Sequence, residues 1–365
     1  MRVTVKQSGN IVEVSGYGDP IIFQVEGIDL DPLTDHTFAA WLMLPWAMKT
    51  GETIEIDGPV DALAIENIRH FSKAWELWEP HKFSPVDVAS ASKVVPAEKF
   101  GNLVFYSGGL DSTDMLLELG RQAQATTALT VQGFDYSSTR SEQFARLKDQ
   151  VAPLLDELNY KHATLAISRV SGGYYSWSLQ LAAAGFLFAG QFEKALFATD
   201  SNWEQDMSLF PWGSNHVTNR YLKGNNFYLT GLSDHRTRTM KAKSVAQHDT
   251  AIHAASFCKN REVRPKNCGV CSKCLRTKAM FLVFGETPDI FIDGSFDASF
   301  LRSIDLDDRK EIPLIMDLCQ IAREEGKLDQ IPELRELLED LKRPTTQYSH
   351  RLAKMKKALR KILLS

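Results

Sequence analysis

A chain of 365 residues is long enough for two or three units with cores of their own, and its 44% hydrophobic and 24% charged composition is that of an ordinary soluble globular protein. The net charge of −4 supplies no general attraction to nucleic acid or anionic membrane. No apolar run reaches the ~18 residues of a membrane span, and the opening Met1-Arg2-Val3-Thr4 lacks an apolar leader, so a cytoplasmic protein without membrane contact is expected.

Residues 1–60 alternate like strands: Val3, Val5, Ile11, Val12, Val14, then Ile21-Ile22-Phe23, and later Ile54 and Ile56. Residues 34–49 fit a short helix carrying Trp41, Leu42 and Leu44 and broken at Pro45. From 60 to 78, Leu63, Ile65, Ile68, Phe71, Trp75 and Trp78 recur at helical spacing. This predicts a small α+β domain over 1–80, then a linker over 81–99 rich in Pro, Ser, Ala and Lys. Neither segment carries evident chemistry.

Strand–helix units then repeat. Apolar strands are expected at 103–106, 126–131, 163–167 and 195–199, with helices after the first strand and over 141–158 and 174–188. That alternation predicts an α/β fold with a parallel sheet, whose ligands bind at the carboxyl ends of the strands. Tyr106, Val131 and Phe134 stand at such ends and suit the flat face of a base, although sheet packing accounts for them equally well.

Between the first strand and its helix lies Ser107-Gly108-Gly109-Leu110-Asp111-Ser112, followed by Thr113. Glycines here permit positive φ and let backbone N–H groups approach an anion, and the helix N-terminus behind them favours negative charge. Ser107, Ser112 and Thr113 offer hydroxyls to phosphate, and Asp111 is an oxygen ligand for Mg²⁺. ATP is the expected ligand. The plainer reading is a tight turn in which Asp or Ser caps the helix. No other phosphate-binding loop of the GxxxxGK[ST] type occurs.

The polar stretch 200–243 follows a strand end. Its Asp200, Trp212, His216 and Arg220 suit a planar, polar, purine-like substrate, with a solvated loop as the alternative. Downstream, Cys258, Cys268, Cys271 and Cys274 form C-x9-C-x2-C-x2-C, which fits a closed structural Zn²⁺ site; disulfides or an iron–sulfur cluster are the competing readings. Cys319 falls in an apolar helical stretch and reads as a small buried hydrophobe.

The loop and the cysteine knot, in this order, resemble the PP-loop ATP pyrophosphatases and, among them, the 7-cyano-7-deazaguanine synthases, over roughly residues 100–285. The resemblance implies an adenine-nucleotide alpha-hydrolase-like domain over 100–300 with the knot at 258–274. It implies ATP cleavage to AMP and pyrophosphate, and activation of a carboxylate or amide on a 7-deazaguanine-type base before attack by ammonia or another amine. It also places cations for the phosphates in Arg236-Thr237-Arg238-Thr239-Met240-Lys241, where Lys243 replaces the usual acidic residue. Ser107, Asp111, Arg238 and Lys241 are the expected catalytic set. Relatives of this kind serve in bacterial antiviral systems, which implies a protein partner. Two alternatives stand beside this reading: a tRNA-thiolating PP-loop enzyme, which needs a free catalytic thiol, and an ATP-binding partner protein without turnover. The resemblance does not reach residues 301–365, where helices at 314–321 and 334–341 precede a basic amphipathic tail, 351–364.

Overall fold

The computed structural model describes residues 1–94, 99, 101–120, 127–209, 211–285, 287–304, 306 and 311–342. The chain divides into two compact units, Met1–Ser295 and Phe296–Ser365.

The first unit begins with β1 (Arg2–Ser8), β2 (Ile11–Ser15) and β3 (Ile21–Glu26), then α1 (Thr37–Thr50), β4 (Ile54–Val60), α2 (Ala62–Trp78) and β5 (Val88–Lys93). A strand–helix series follows: β6 (Asn102–Phe105), α3 (Leu110–Gly120), β7 (Thr127–Gln132), α4 (Ser141–Glu157), β8 (Lys161–Ile167), α5 (Trp177–Phe186) and β9 (Lys194–Ala198). The short α6 (Trp203–Ser208) and α7 (His216–Asn219) lead to β10 (Tyr228–Leu232), α8 (Arg238–Ala246), α9 (Asp249–Ala254) and α10 (Ser272–Phe284). The second unit holds 3-10 turns at Ala298–Ser303 and Leu328–Gln330 with α11 (Glu311–Glu324) and α12 (Pro332–Lys342), which contain both expected C-terminal helices. The basic tail expected at 351–364 lies outside the described residues.

All ten strands form one sheet, in the order β10-β9-β6-β7-β8-β3-β2-β1-β4-β5. Six of its nine pairings are parallel, so the fold is α/β with a mostly parallel sheet. Strands β6 to β10 are parallel throughout. From β6 the chain steps outward through β7 to β8, then returns to the other side of β6 for β9 and β10. Such a reversal opens a crevice at the carboxyl ends of the central strands, the usual ligand position in an open α/β sheet.

The expected boundary near residue 80 is not one. Strand β3 pairs antiparallel with β8, placing Phe23 opposite Ile167 and Val25 opposite Leu165, so the N-terminal strands and the central sheet share one core. The segment expected as linker contains β5, which pairs with β4. It is an edge strand, and its small, polar, largely exposed residues read as linker because one side has no strand to pack against. Pro45 does not break α1 either. That helix is apolar around nearly its whole circumference and packs on α5, so burial outweighs the backbone hydrogen bond that proline removes. Within 200–243, where a solvated loop is the alternative reading, the short β10 pairs with β9.

A candidate anion-binding cavity and four-cysteine metal site

The chain between β6 and α3 turns at Gly108, whose φ is +70°. A Cβ there would lie 3.0 Å from Leu147 Cδ1 and 3.2 Å from Val151 Cγ1 on α4, so both conformation and space require glycine. The loop is braced by its own hydroxyls: Ser107 N–H donates to Ser112 Oγ at 3.3 Å, Gly109 N–H to Ser107 Oγ at 3.2 Å, and the two Oγ atoms are 3.1 Å apart. Ser112 Oγ also donates to Gly109 O at 3.1 Å.

This loop forms one end of a cavity of about 320 Å³ at the carboxyl ends of β6, β7 and β9. Tyr106, Ser107, Gly109, Leu110, Asp111 and Ser112 line it. Val131 and Phe134 line the apolar wall, joined by Phe105, Leu129, Trp177 and Phe197, with the Phe134 and Trp177 ring centroids 5.6 Å apart. Asp200 and Trp212 also reach it. The size is at the lower end for small-molecule pockets, and an apolar wall facing a polar loop suits a flat base carrying an anionic tail.

Other expected residues stand off the cavity. Gly108 faces α4, and Thr113 is buried behind the loop with Oγ1 3.5 Å from the Tyr106 hydroxyl. Arg220 is exposed beside the Tyr221 ring. His216 is taken up with α6: its Nδ1 is 2.6 Å from Asp206 Oδ2 and its ring centroid 4.2 Å from that of Trp203.

Asp111 is the electrostatic centre. Arg238 grips it through NH2–Oδ2 at 2.6 Å and Nε–Oδ1 at 3.4 Å, and Lys241 Nζ lies 3.6 Å from Oδ1. Burial pushes the Asp111 carboxyl upward, but the Arg238 and Lys241 charges outweigh burial and hold it below the ordinary aspartate range. Arg238 lines the cavity. Lys241 does not: it is fully buried and donates to Thr199 O at 2.6 Å, so it acts through Asp111. Asp200 shifts the opposite way, its carboxyl raised first by burial and also by Asp111. One helical turn on, Asp114 pairs with Arg236 at 2.8 Å.

Lys273, Arg264, Ser256, Asp135 and Tyr136 also line the cavity, though no sequence pattern singles them out. Lys273 lies between two cysteines of the knot, where it reads as a spacer. Burial, and then the Arg238 guanidinium, push its ammonium below the ordinary lysine range.

The four cysteines meet beside this wall, their sulfurs all within 4.8 Å of one another, with Cys258–Cys271 at 4.0 Å and Cys268–Cys274 at 3.8 Å. Four thiolates at about 2.3 Å from one tetrahedral ion stand about 3.8 Å apart, so the set could hold one metal ion such as zinc. None is in a disulfide, and four sulfurs this close match ligands on one ion rather than on the separate irons of a cluster. Gly269, at φ +84°, lets the knot close: a Cβ there would sit 2.1 Å from Asp293 O. The amides of Cys268 and Cys271 donate to the sulfurs of Cys258 and Cys268, each at 3.4 Å.

Knot and loop are wired together. Ser256 N–H donates to Gly108 O at 2.6 Å, and Ser256 Oγ is 3.0 Å from the Tyr136 hydroxyl. Arg264 donates to Cys258 O at 2.7 Å and to Asp135 O at 2.8 Å, joining the knot to the chain after β7.

No helix is long and apolar enough to cross a membrane among the described residues. No family model, curated protein or solved structure matches the chain.

Proposed function

We propose that the protein is an AMP- and pyrophosphate-forming ligase that activates a carboxylate or amide, on a 7-deazaguanine-type base, for attack by ammonia or another amine. The observation that carries this reading is the lining of the cavity, which combines the Ser107–Ser112 loop, the cations Arg238 and Lys273, and an apolar aromatic wall.

In this reading the base of ATP lies on Val131, Phe134 and Trp177 and its phosphates reach the loop. The substrate carboxylate oxygen attacks the α-phosphorus as the bond to the β-phosphate oxygen breaks, and pyrophosphate leaves with that electron pair. The nitrogen nucleophile then adds to the activated carbon, AMP departs, and the proton goes to water. The Ser107 hydroxyl donates to the departing pyrophosphate, joined by the Gly109 N–H and the Ser112 hydroxyl as they exchange Ser107 Oγ and Gly109 O for phosphate oxygens, and Arg238 compensates the charge gathering on phosphorus, effects worth about 3 kcal/mol for one well-placed donor. Asp111 fixes the Arg238 fork, Lys241 keeps Asp111 ionised from the buried side, and the aromatic wall excludes water.

Asp111, which keeps its hold on the Arg238 fork, and Asp200 are the oxygen donors that would hold Mg²⁺, and the ion would supply charge neutralisation of the phosphates. Zinc in the knot is structural, because four thiolates leave no open position.

A thiolating enzyme fits less well. The clustered cysteines share one metal geometry, and Cys319 is buried in the second unit with Sγ 3.2 Å from Leu334 O and its thiol pushed up to about 11 by burial. The test is incubation of purified protein with ATP, Mg²⁺, ammonia and 7-carboxy-7-deazaguanine, with mass spectrometry of the products. AMP, pyrophosphate and an amide support the proposal, as does a nitrile, formed when a second ATP adenylates the amide oxygen, which leaves as AMP while the nitrogen gives up its two protons. ATP binding without AMP favours the partner-protein alternative, and sulfur in the product the thiolation alternative.

A further inference from the structure

Lys273 is the cavity cation whose charge is left over. The Arg238 charge is matched by Asp111 at 2.6 Å and the Arg264 charge by Asp135 at 3.3 Å, and Lys241 is spent on Asp111 and Thr199 O. Lys273 lines the same cavity, and no carboxylate among the described residues pairs with it; Asp111 and Asp135 reach it only as longer-range charges. A partly buried ammonium that no carboxylate neutralises is drawn to an anionic ligand entering the same cavity. Its position is set by the knot: Lys273 stands in the first turn of α10, between Cys271, which caps that helix, and Cys274. A metal ion on Cys258, Cys268, Cys271 and Cys274 therefore fixes the backbone on both sides of Lys273, and Lys278 ties the same helix to Asp293 O and Ser295 O.

Building on the ATP-binding reading, we propose that Lys273 is a phosphate-binding residue of this cavity and that the cysteine-bound metal is the device that holds it in place. The knot then does more than stabilise the fold, since metal occupancy sets the affinity for the nucleotide's phosphates.

The experiment compares the full-length wild type with Lys273→Met and Lys273→Arg, titrating MgATP and magnesium pyrophosphate by calorimetry and by the fluorescence of Trp177 and Trp212 in the cavity wall. Loss of one charge-assisted contact should weaken pyrophosphate and ATP by roughly tenfold or more in Lys273→Met, with Lys273→Arg within a few-fold of wild type. Metal content and thermal stability should be unchanged in Lys273→Met, because the side chain is only partly buried and none of the four cysteines is altered. Equal affinities in wild type and Lys273→Met overturn the phosphate role. Stripping the metal from folded wild-type protein, judged by circular dichroism, should cost at least the same factor, and an unchanged affinity overturns the coupling. A wild type that binds neither ligand refutes the ATP-binding reading itself, and this inference with it.

Discussion

Replacing Asp111 with asparagine removes the one carboxylate that serves two cations. In the wild type Arg238 and Lys241 approach it at 2.6 and 3.6 Å, with side-chain exposures of 15% for Arg238, 0% for Lys241 and 22% for Asp111. The asparagine side chain is nearly isosteric, so packing is preserved while Lys241 is left buried without a counter-ion. Breaking a fully buried pair costs about 3–5 kcal/mol; the residual exposure of Asp111 and Arg238 places this one near the lower end, about 3 kcal/mol. At roughly 2–4 °C per kcal/mol for a unit of this size, the melting temperature should fall by about 6–12 °C in differential scanning calorimetry near neutral pH. The sign with pH follows from the depressed carboxyl: its stabilisation is present above the ordinary aspartate value of 3.8 and fades as pH falls through the lower folded value. The difference between wild type and Asp111→Asn should therefore close only in strong acid. A variant melting within about 2 °C of wild type near neutral pH would show that the triad is solvated and that Asp111 does not organise the cavity.

Gly108→Ala, at φ +70° with a neighbour 3.0 Å from the added carbon, should lose about 1–3 kcal/mol by urea denaturation. Gly9→Ala, at φ +56° in open space, should lose only the backbone part, about 1 kcal/mol, and equal losses would refute the packing argument. Burial raises Asp114 from 3.8 to about 6 even with Arg236 beside it, so this carboxyl erodes stability as pH rises from about 4 to 6, by at most about 3 kcal/mol. Asp114→Asn should flatten that slope in thermal melts without abolishing it, because burial raises Asp35 to about 6 as well. Metal analysis should find about one zinc per chain, falling to near zero in Cys274→Ser; full retention of metal by that variant would exclude the four-thiolate geometry.

The cavity loop is legible in the amino-acid sequence because its signals are local: an apolar run, two glycines, a helical pattern. The cysteine set is legible from spacing alone. What escapes the sequence depends on partners far along the chain. Phe23 meets Ile167 across more than a hundred residues, and no local pattern announces that a meander will extend the central sheet. Strand β5 is hidden by its edge position, and α1 survives Pro45 because α5 covers it. Within the site, helical phase decides what spacing cannot. Asp111 and Ser112 turn to the cavity while Thr113 turns to Tyr106, and Arg238 reaches the opening while Lys241 reaches Asp111 from behind. Lys273 is concealed by its neighbours, since between two closely spaced cysteines a lysine looks like filler.

The central claim, that the cavity transfers the α-phosphorus of ATP to a carboxylate, is tested most directly by isotope exchange between labelled pyrophosphate and ATP. Label should enter ATP only when protein, Mg²⁺ and the carboxylated deazapurine are all present, and Asp111→Asn should abolish the exchange. No exchange with any carboxylate tried, or ADP and inorganic phosphate as the products, would contradict it.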